Sequence, residues 1–268
     1  MSADTIGTDL VCRGQEVIIH LSCKDWNRNA IESRCWKLAS EGFRNLLALS
    51  GDSPVSGYHG QSSPVFDIDS VGLLQLVSEV HDGHFFPGAV VSNYKRLESE
   101  VMPQYFNWRA RSMRGARFII NQIGYDARKM AELLQYMALR GLSVPVIANI
   151  FVLTVKAAQY FHACKVPGVT VTDDLLALVE KHAASPDKGK AFLLESAAKQ
   201  CAIARGLGYR GMYLGGHLRF EDYERILAMV DSFAPDDWRT SHARFNSRCL
   251  ASSTISSATR LRDCAPRK

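Results

Sequence analysis

Two short stretches of this chain end apolar runs in residues that can do chemistry. Val17-Ile-Ile-His-Leu-Ser-Cys-Lys-Asp25 carries His20, Ser22 and Cys23, and Asn45-Leu-Leu-Ala-Leu-Ser-Gly-Asp52 carries Ser50, Gly51 and Asp52. An imidazole and a hydroxyl can hydrogen-bond a polar heterocycle, and a carboxylate beside it tunes the local charge. Gly51, with no side chain, lets a planar ligand approach the backbone. A turn or helix-capping role is the plainer reading of Asp52, as a buried core role is of His20. A third run, Phe118-Ile-Ile-Asn-Gln122, closes on an amide that offers both donors and acceptors, and Asn149 sits near the end of a fourth. Asn107 and Arg111 are four apart and share a helix face. A guanidinium there suits bidentate pairing with a phosphate, although Arg109 and Arg114 make the segment generally basic, as a solvated face would be.

Positioning these groups requires strands that end together. Strand-length apolar runs are predicted over 17–21, 45–50, 85–91, 117–122, 144–150 and 211–214. Helical periodicity fills the intervals, over 27–41, 70–81 (with Asp69 as its cap), 98–114, 127–140, 155–163, 173–184, 188–207 and 220–233. Gly115, Gly141 and Gly208 stand where helices end. Alternating strands and helices imply a parallel sheet covered by helices, and right-handed crossovers bring the polar strand ends to one edge. That carboxyl edge is where α/β folds bind ligands. Six units are visible where a closed (β/α)8 barrel has eight, so an open doubly wound sheet and a barrel-type fold short of two units both fit. Before Val17 the sequence offers at most a helix end at Asp9–Cys12, and residues 1–14 read as a truncated helix or poorly ordered start.

Composition narrows the class. With 268 residues and 47% hydrophobic content the chain can bury a full core, and positions 15–238 suffice for one α/β domain. No apolar run reaches membrane-spanning length, and the first residues lack the pattern of a secretion signal. Seven scattered cysteines without a C-x-x-C pair point to reduced thiols and a cytoplasmic setting. The histidines show no metal-ligand spacing, so no metal site is expected. From Arg239 onward there are seven basic residues and one acid, leaving 25 basic and 26 acidic residues in positions 1–238. The basic balance therefore belongs to residues 239–268, a Ser/Thr/Arg-rich stretch that reads as a disordered tail. Neither a nucleic-acid nor a membrane partner is expected.

The residues now assembled resemble the methylenetetrahydrofolate reductase family, flavin-containing (β/α)8 barrels of one-carbon metabolism. His20-Leu-Ser-Cys-Lys-Asp-Trp-Asn-Arg28 is similar to the family's H-L-T-C-x-D strand end, and Leu47-Ala-Leu-Ser-Gly-Asp52 to its L-A-L-R-G-D. Asn107-Trp-Arg-Ala-Arg111, followed by Gly115-Ala-Arg-Phe-Ile-Ile-Asn-Gln122, is similar to N-x-x-x-K followed by G-A-x-x-x-I-T-Q. Phe86-Pro-Gly-Ala-Val-Val-Ser-Asn-Tyr-Lys, Pro186-Asp-Lys-Gly-Lys190 and Tyr213-Leu-Gly-Gly216 resemble a bacterial branch. The likeness spans roughly positions 15–238.

The resemblance implies a TIM-barrel oxidoreductase with FAD held by strand ends and NADH or NADPH as co-substrate. It would reduce 5,10-methylenetetrahydrofolate to 5-methyltetrahydrofolate, the methyl donor of methionine synthesis. By the same resemblance His20, Ser22, Ser50, Gly51, Asp52, Asn107 and Arg111 contact the flavin cofactor. Asp52 is the catalytic carboxylate, and Gln122 with Asn149 bind the folate. Tyr213 and the two glycines after it end the last strand, where a phosphate site, a ligand cover or a simple turn all fit. Gly57–Ser63 reads as a loop able to act as a lid. Two departures stand out. The family's general-acid glutamate and a flavin-contacting threonine lie on strands with no counterpart here, and a truncated or mis-started reading frame is the expected cause. A pterin-dependent methyltransferase, or a non-catalytic folate-binding subunit completed by a partner or second copy, are the alternatives.

Overall fold

The computed structural model describes residues 3–51, 65–81, 83–234 and 236–239. The elements in chain order are α1 (Ala3–Cys12), β1 (Ile18–Ser22), α2 (Arg28–Ser40), β2 (Asn45–Leu49), α3 (Ser70–Val80), β3 (Phe86–Val91), α4 (Glu98–Met113) and β4 (Phe118–Asn121). Then come α5 (Ala127–Leu139), β5 (Val146–Val152), α6 (Val155–His162), α7 (Asp173–Ala183), α8 (Lys190–Leu207), β6 (Gly211–Gly216) and α9 (Phe220–Ser232). The six strands form one sheet in the order β1-β2-β3-β4-β5-β6. A doubly wound sheet reverses its order at a switch point, so this monotonic order decides for the barrel-type winding, with six strands among the described residues. The Ser/Arg-rich stretch 240–268, Asp52 and the 57–63 loop lie outside the described residues.

By its contacts the chain divides into two compact units: Met1–Val91 with Pro103–Ile120 and Leu142–Pro145, and Ser92–Met102 with Asn121–Gly141 and Val146–Lys268. In the first, β1 pairs in parallel with β2 from Ile18 opposite Asn45 to Ser22 opposite Leu49, and β2 with β3 from Asn45 opposite Phe86. Ile19 and Leu21 are buried while Ile18 and His20 are exposed, so β1 has one covered and one open face. Leu46, Leu47 and Ala48 are all buried, as a strand covered on both faces requires. Phe43, Ile31, Leu38, Leu73, Leu74 and Trp108 fill this unit's core. Asn27 caps α2 by accepting from Ala30 N, and Asp69 caps α3 by accepting from Val71 and Gly72 N.

The sequence reading places only a helix end near Asp9–Cys12, whereas α1 runs for ten residues. Its start is held by tertiary contacts that no local pattern signals. Asp4 is 4% exposed and accepts from Arg34 Nη2 at 2.7 Å and Lys37 Nζ at 3.2 Å. Gly7, a poor helix former, sits against Phe43 and the tip of Ile19 where a Cβ would crowd both.

In the second unit β5 pairs in parallel with β6 from Ile147 opposite Gly211 to Val152 opposite Gly216. Val146, Ala148, Ile150 and Val152 are buried, whereas Ile147, Asn149 and Phe151 are half-buried on the other face. Leu133, Ile150 and Leu194 are fully buried at its centre. Trp238 lies over Gly206, where a Cβ would overlap its indole.

Gly88 on β3 is required by packing rather than by a turn, because a Cβ there would overlap the Phe118 ring, which also stacks on Phe86 at 5.7 Å. Gly88→Val should lower unfolding free energy by about 1–3 kcal/mol through overpacking, read from urea midpoints.

Candidate functional site

Two polar clusters occupy the carboxyl ends of the strands, one in each unit. In the first, the chain leaving β2 must turn at Gly51, whose φ of +87° favours glycine. A Cβ there would overlap Ser22 Oγ and stand 2.7 Å from Lys24 Cβ, so the glycine also keeps the β1 end within reach. Ser22 Oγ accepts from Lys24 N at 3.3 Å, and Cys23 N donates to Leu49 O at 2.9 Å, prolonging the ladder. Ser50 Oγ donates to Ser70 Oγ at 3.2 Å and accepts from Ser70 N at 3.3 Å. Arg111 then closes the cluster. Its Nε donates to Ser70 Oγ at 3.1 Å, and its Nη1 donates to Val90 O at 2.5 Å, tying α4 to the end of β3 and the start of α3. Burial pulls the Arg111 pKa down, opposed by the nearby Asp69 carboxylate. A guanidinium remains charged regardless, so this is a partly desolvated cation whose Nη2 donates to no other described residue.

Sequence reasoning named Ser50 and Arg111 but missed Ser70, the residue that joins them. Asp69 as an N-cap marks Ser70 as the first helical residue, but its meeting with Ser50, twenty positions earlier, has no local signal. Asn107 stands exposed on α4, one turn before Arg111. Cys23 is fully buried, and burial, with a smaller push from Asp69, raises its thiol to about 12. It packs and supplies no thiolate near neutral pH. His20 stands on the exposed face of β1, yet partial desolvation lowers its pKa below the ordinary 6.5.

The second cluster is organised by Asn121, the last residue of β4 and 1% exposed. Its Nδ2 donates to Tyr94 Oη at 3.0 Å, and its Oδ1 accepts from Asn149 N on β5 at 2.7 Å. Tyr94 is seated over Gly124, where any Cβ would overlap its ring, and its carbonyl accepts from Thr170 Oγ1 at 3.3 Å. Tyr125 Oη donates to Phe151 O at 3.1 Å, and burial raises this phenol's pKa. Asn93, wholly buried, donates from Nδ2 to Lys129 O at 3.0 Å. Lys129 is itself buried and ion-paired to Glu98 and, at 2.8 Å, to Glu132.

Gln122 and Asn149, the two expected amides, both fall in this cluster and are half-buried. Gln122 Oε1 accepts from Ile123 N at 2.9 Å, and a Cβ on Gly168 would lie 3.8 Å from Gln122 Nε2, so the loop carrying Gly168 passes close by. Asn121 and Tyr94 were not singled out from sequence. Their role rests on a pairing across 27 positions that no local pattern shows.

Comparison with known proteins decides the family. The model described as methylenetetrahydrofolate reductase matches residues 3–215. The chain belongs to the methylenetetrahydrofolate reductase family. It is similar to methylenetetrahydrofolate reductase 2 of Saccharomyces cerevisiae, with 24% identity over 163 residues, covering 59% of this chain and 27% of the yeast protein. It is likewise similar to methylenetetrahydrofolate reductase 2 of Schizosaccharomyces pombe, with 25% identity over 166 residues, covering 56% and 26% respectively. The aligned part thus spans about a quarter of the length of these curated relatives. Among solved structures, a Clostridium thermocellum protein that binds two copies of 5-methyl-5,6,7,8-tetrahydrofolic acid has the same fold. Its TM-score is 0.55 at 11% identity, covering 84% of this chain and 76% of that one. No helix among the described residues is long and apolar enough to cross a membrane.

Two outcomes test this geometry. Asn121→Leu removes the side-chain acceptor of the Asn149 N–H and the donor to the Tyr94 hydroxyl, and should cost about 2–4 kcal/mol of stability in urea unfolding. His20 prefers its neutral form in the folded state, so the stability it contributes is complete above pH 6.5. That contribution is lost as pH falls through the lower folded pKa. The His20 ring resonances should therefore titrate below 6.5, and His20→Asn should lose less stability than the parent between about pH 7 and pH 5.

Proposed function

We propose that this chain is a flavin-dependent reductase that converts 5,10-methylenetetrahydrofolate to 5-methyltetrahydrofolate with NADH or NADPH. The observation that carries the reading is the family match across residues 3–215, whose strand ends hold the polar residues described above. The 5-methyltetrahydrofolate bound by the Clostridium thermocellum protein of the same fold is consistent with it.

The residues present fit FAD at one point of clear chemistry. Arg111 is a half-buried cation whose Nη2 donates to no other described residue, set beside two serine hydroxyls, which suits a pyrophosphate. Ser22 and neutral His20 would hydrogen-bond the cofactor, and Gly51 makes the turn that seats Ser22 beside it, its missing Cβ giving room to Ser22 and Lys24 rather than to the flat ring. Asn107 would reach it from the exposed side of α4. When bound, the flavin supplies the hydride-carrying capacity that no side chain has. Asp52 is proposed as the carboxylate that sets the charge around the reacting rings. Gln122 and Asn149 would hold the pterin by its alternating donors and acceptors, fixing its orientation.

The test is the purified full chain. Yellow protein with flavin absorbance, and oxidation of NADH or NADPH that depends on methylenetetrahydrofolate, is the expected result. A colourless preparation that still binds folate would overturn the flavin part in favour of a pterin-dependent methyltransferase or a binding subunit. Arg111→Ala should weaken flavin retention by about tenfold or more, and Arg111→Lys by less, as equilibrium dialysis would show.

A further inference from the structure

On the half-open face of the second unit, β5 carries Ile147, Asn149 and Phe151, and the register of β6 sets Gly211, Tyr213 and Gly215 opposite them. Asn149 and Tyr213 are Cα partners in a parallel pair, so their side chains leave the sheet on the same side, about one strand spacing apart. Tyr213 is 46% exposed, open enough to be covered by a ligand. Asn149 is half-buried, and its carboxamide makes no hydrogen bond to another described residue, although its backbone N–H is clamped by Asn121. A half-buried amide bonded to no other described residue, on a backbone whose N–H is held by Asn121, differs from an ordinary surface asparagine. Beyond it, Phe151 and the side-chain-free Gly215 leave the platform flat, since a Cβ on Gly215 would already touch the Phe151 ring at 3.5 Å.

We propose that Tyr213 and Asn149 together form a platform for the pterin ring, with Tyr213 as a contact and specificity residue. This rests on the folate reading above and names the part of the ligand that this face takes. The phenol ring offers a π-face to a flat heterocycle. The neighbouring carboxamide offers one donor pair and one acceptor, matched to an aminopyrimidinone edge. An aminobenzoyl ring has no such edge and would leave the Asn149 amide unpaired. The platform therefore selects the pterin end of the molecule. Asn121 and Tyr94 act as positioning residues, because they fix the height of Asn149 on β5 without reaching the open face.

The experiment uses the full chain and three probes: 5-methyltetrahydrofolate, 6-methyltetrahydropterin and p-aminobenzoylglutamate, each titrated by calorimetry. Tyr213→Leu should weaken the first two by about fivefold to tenfold and leave any binding of the third unchanged, while Tyr213→Phe stays within about twofold of the parent. Asn149→Asp, which keeps the shape but loses the donor pair, should weaken the same two probes and spare the third. It also keeps the test alive if Tyr213→Leu fails to fold. Undiminished pterin affinity in both Tyr213→Leu and Asn149→Asp would overturn the platform while leaving the folate reading intact. A loss confined to p-aminobenzoylglutamate would overturn it as well. A parent protein that binds none of the three probes would instead overturn the folate reading, and the platform with it.

Discussion

The carboxamide of Asn121 is committed entirely inside the fold, and the second unit's strand ends depend on it. A buried amide must satisfy both its donor and its acceptor side, because either left alone costs as much as a lost hydrogen bond. Here one side meets the Tyr94 hydroxyl and the other a backbone N–H of β5, so the amide bonds the segment after β3 and the next strand at once. Tyr94 can stand in that place only because Gly124 leaves room beneath its ring. The result is a rigid floor on which Gln122 and Asn149 are presented half-open. Polar groups that are fixed before a ligand arrives lose little freedom when it binds, and their geometry sets which ligand is accepted.

The first unit solves a related problem with charge. Arg111 reaches from a helix to the ends of two other elements, and its bonds to Ser70 and Val90 hold it in partial desolvation. Ser50 and Ser70 share hydrogen bonds in both directions, so the turn after β2 and the first turn of α3 move as one piece. A cation held this way attracts an anion more strongly than a free surface arginine does, since less water competes for it. Gly51 serves that arrangement by its positive φ and by leaving space for Ser22.

Membership in the methylenetetrahydrofolate reductase family and the strand order agree, and both explain why the polar residues gather where they do. In parallel α/β folds the helices cover the faces, and the carboxyl ends of the strands are the open edge with many loops to vary. The fold supplies that edge, while the chemistry depends on which side chains stand along it.

Most of the fold was legible in the sequence. Runs such as Leu46-Leu-Ala48 and Phe118-Ile-Ile120, bounded by turn residues, read as buried strands, and Asp69 before an apolar period reads as the start of a helix. The candidate residues at strand ends were legible too, because polar types closing apolar runs are visible without coordinates. Three things were not. The α1 helix depends on Asp4 meeting Arg34 thirty positions away. Ser70 gains its place from a serine twenty positions earlier, and Tyr213 meets Asn149 only through strand register. Local periodicity records what each segment buries. Which distant groups then satisfy one another is decided by packing, and only the tertiary structure holds that information.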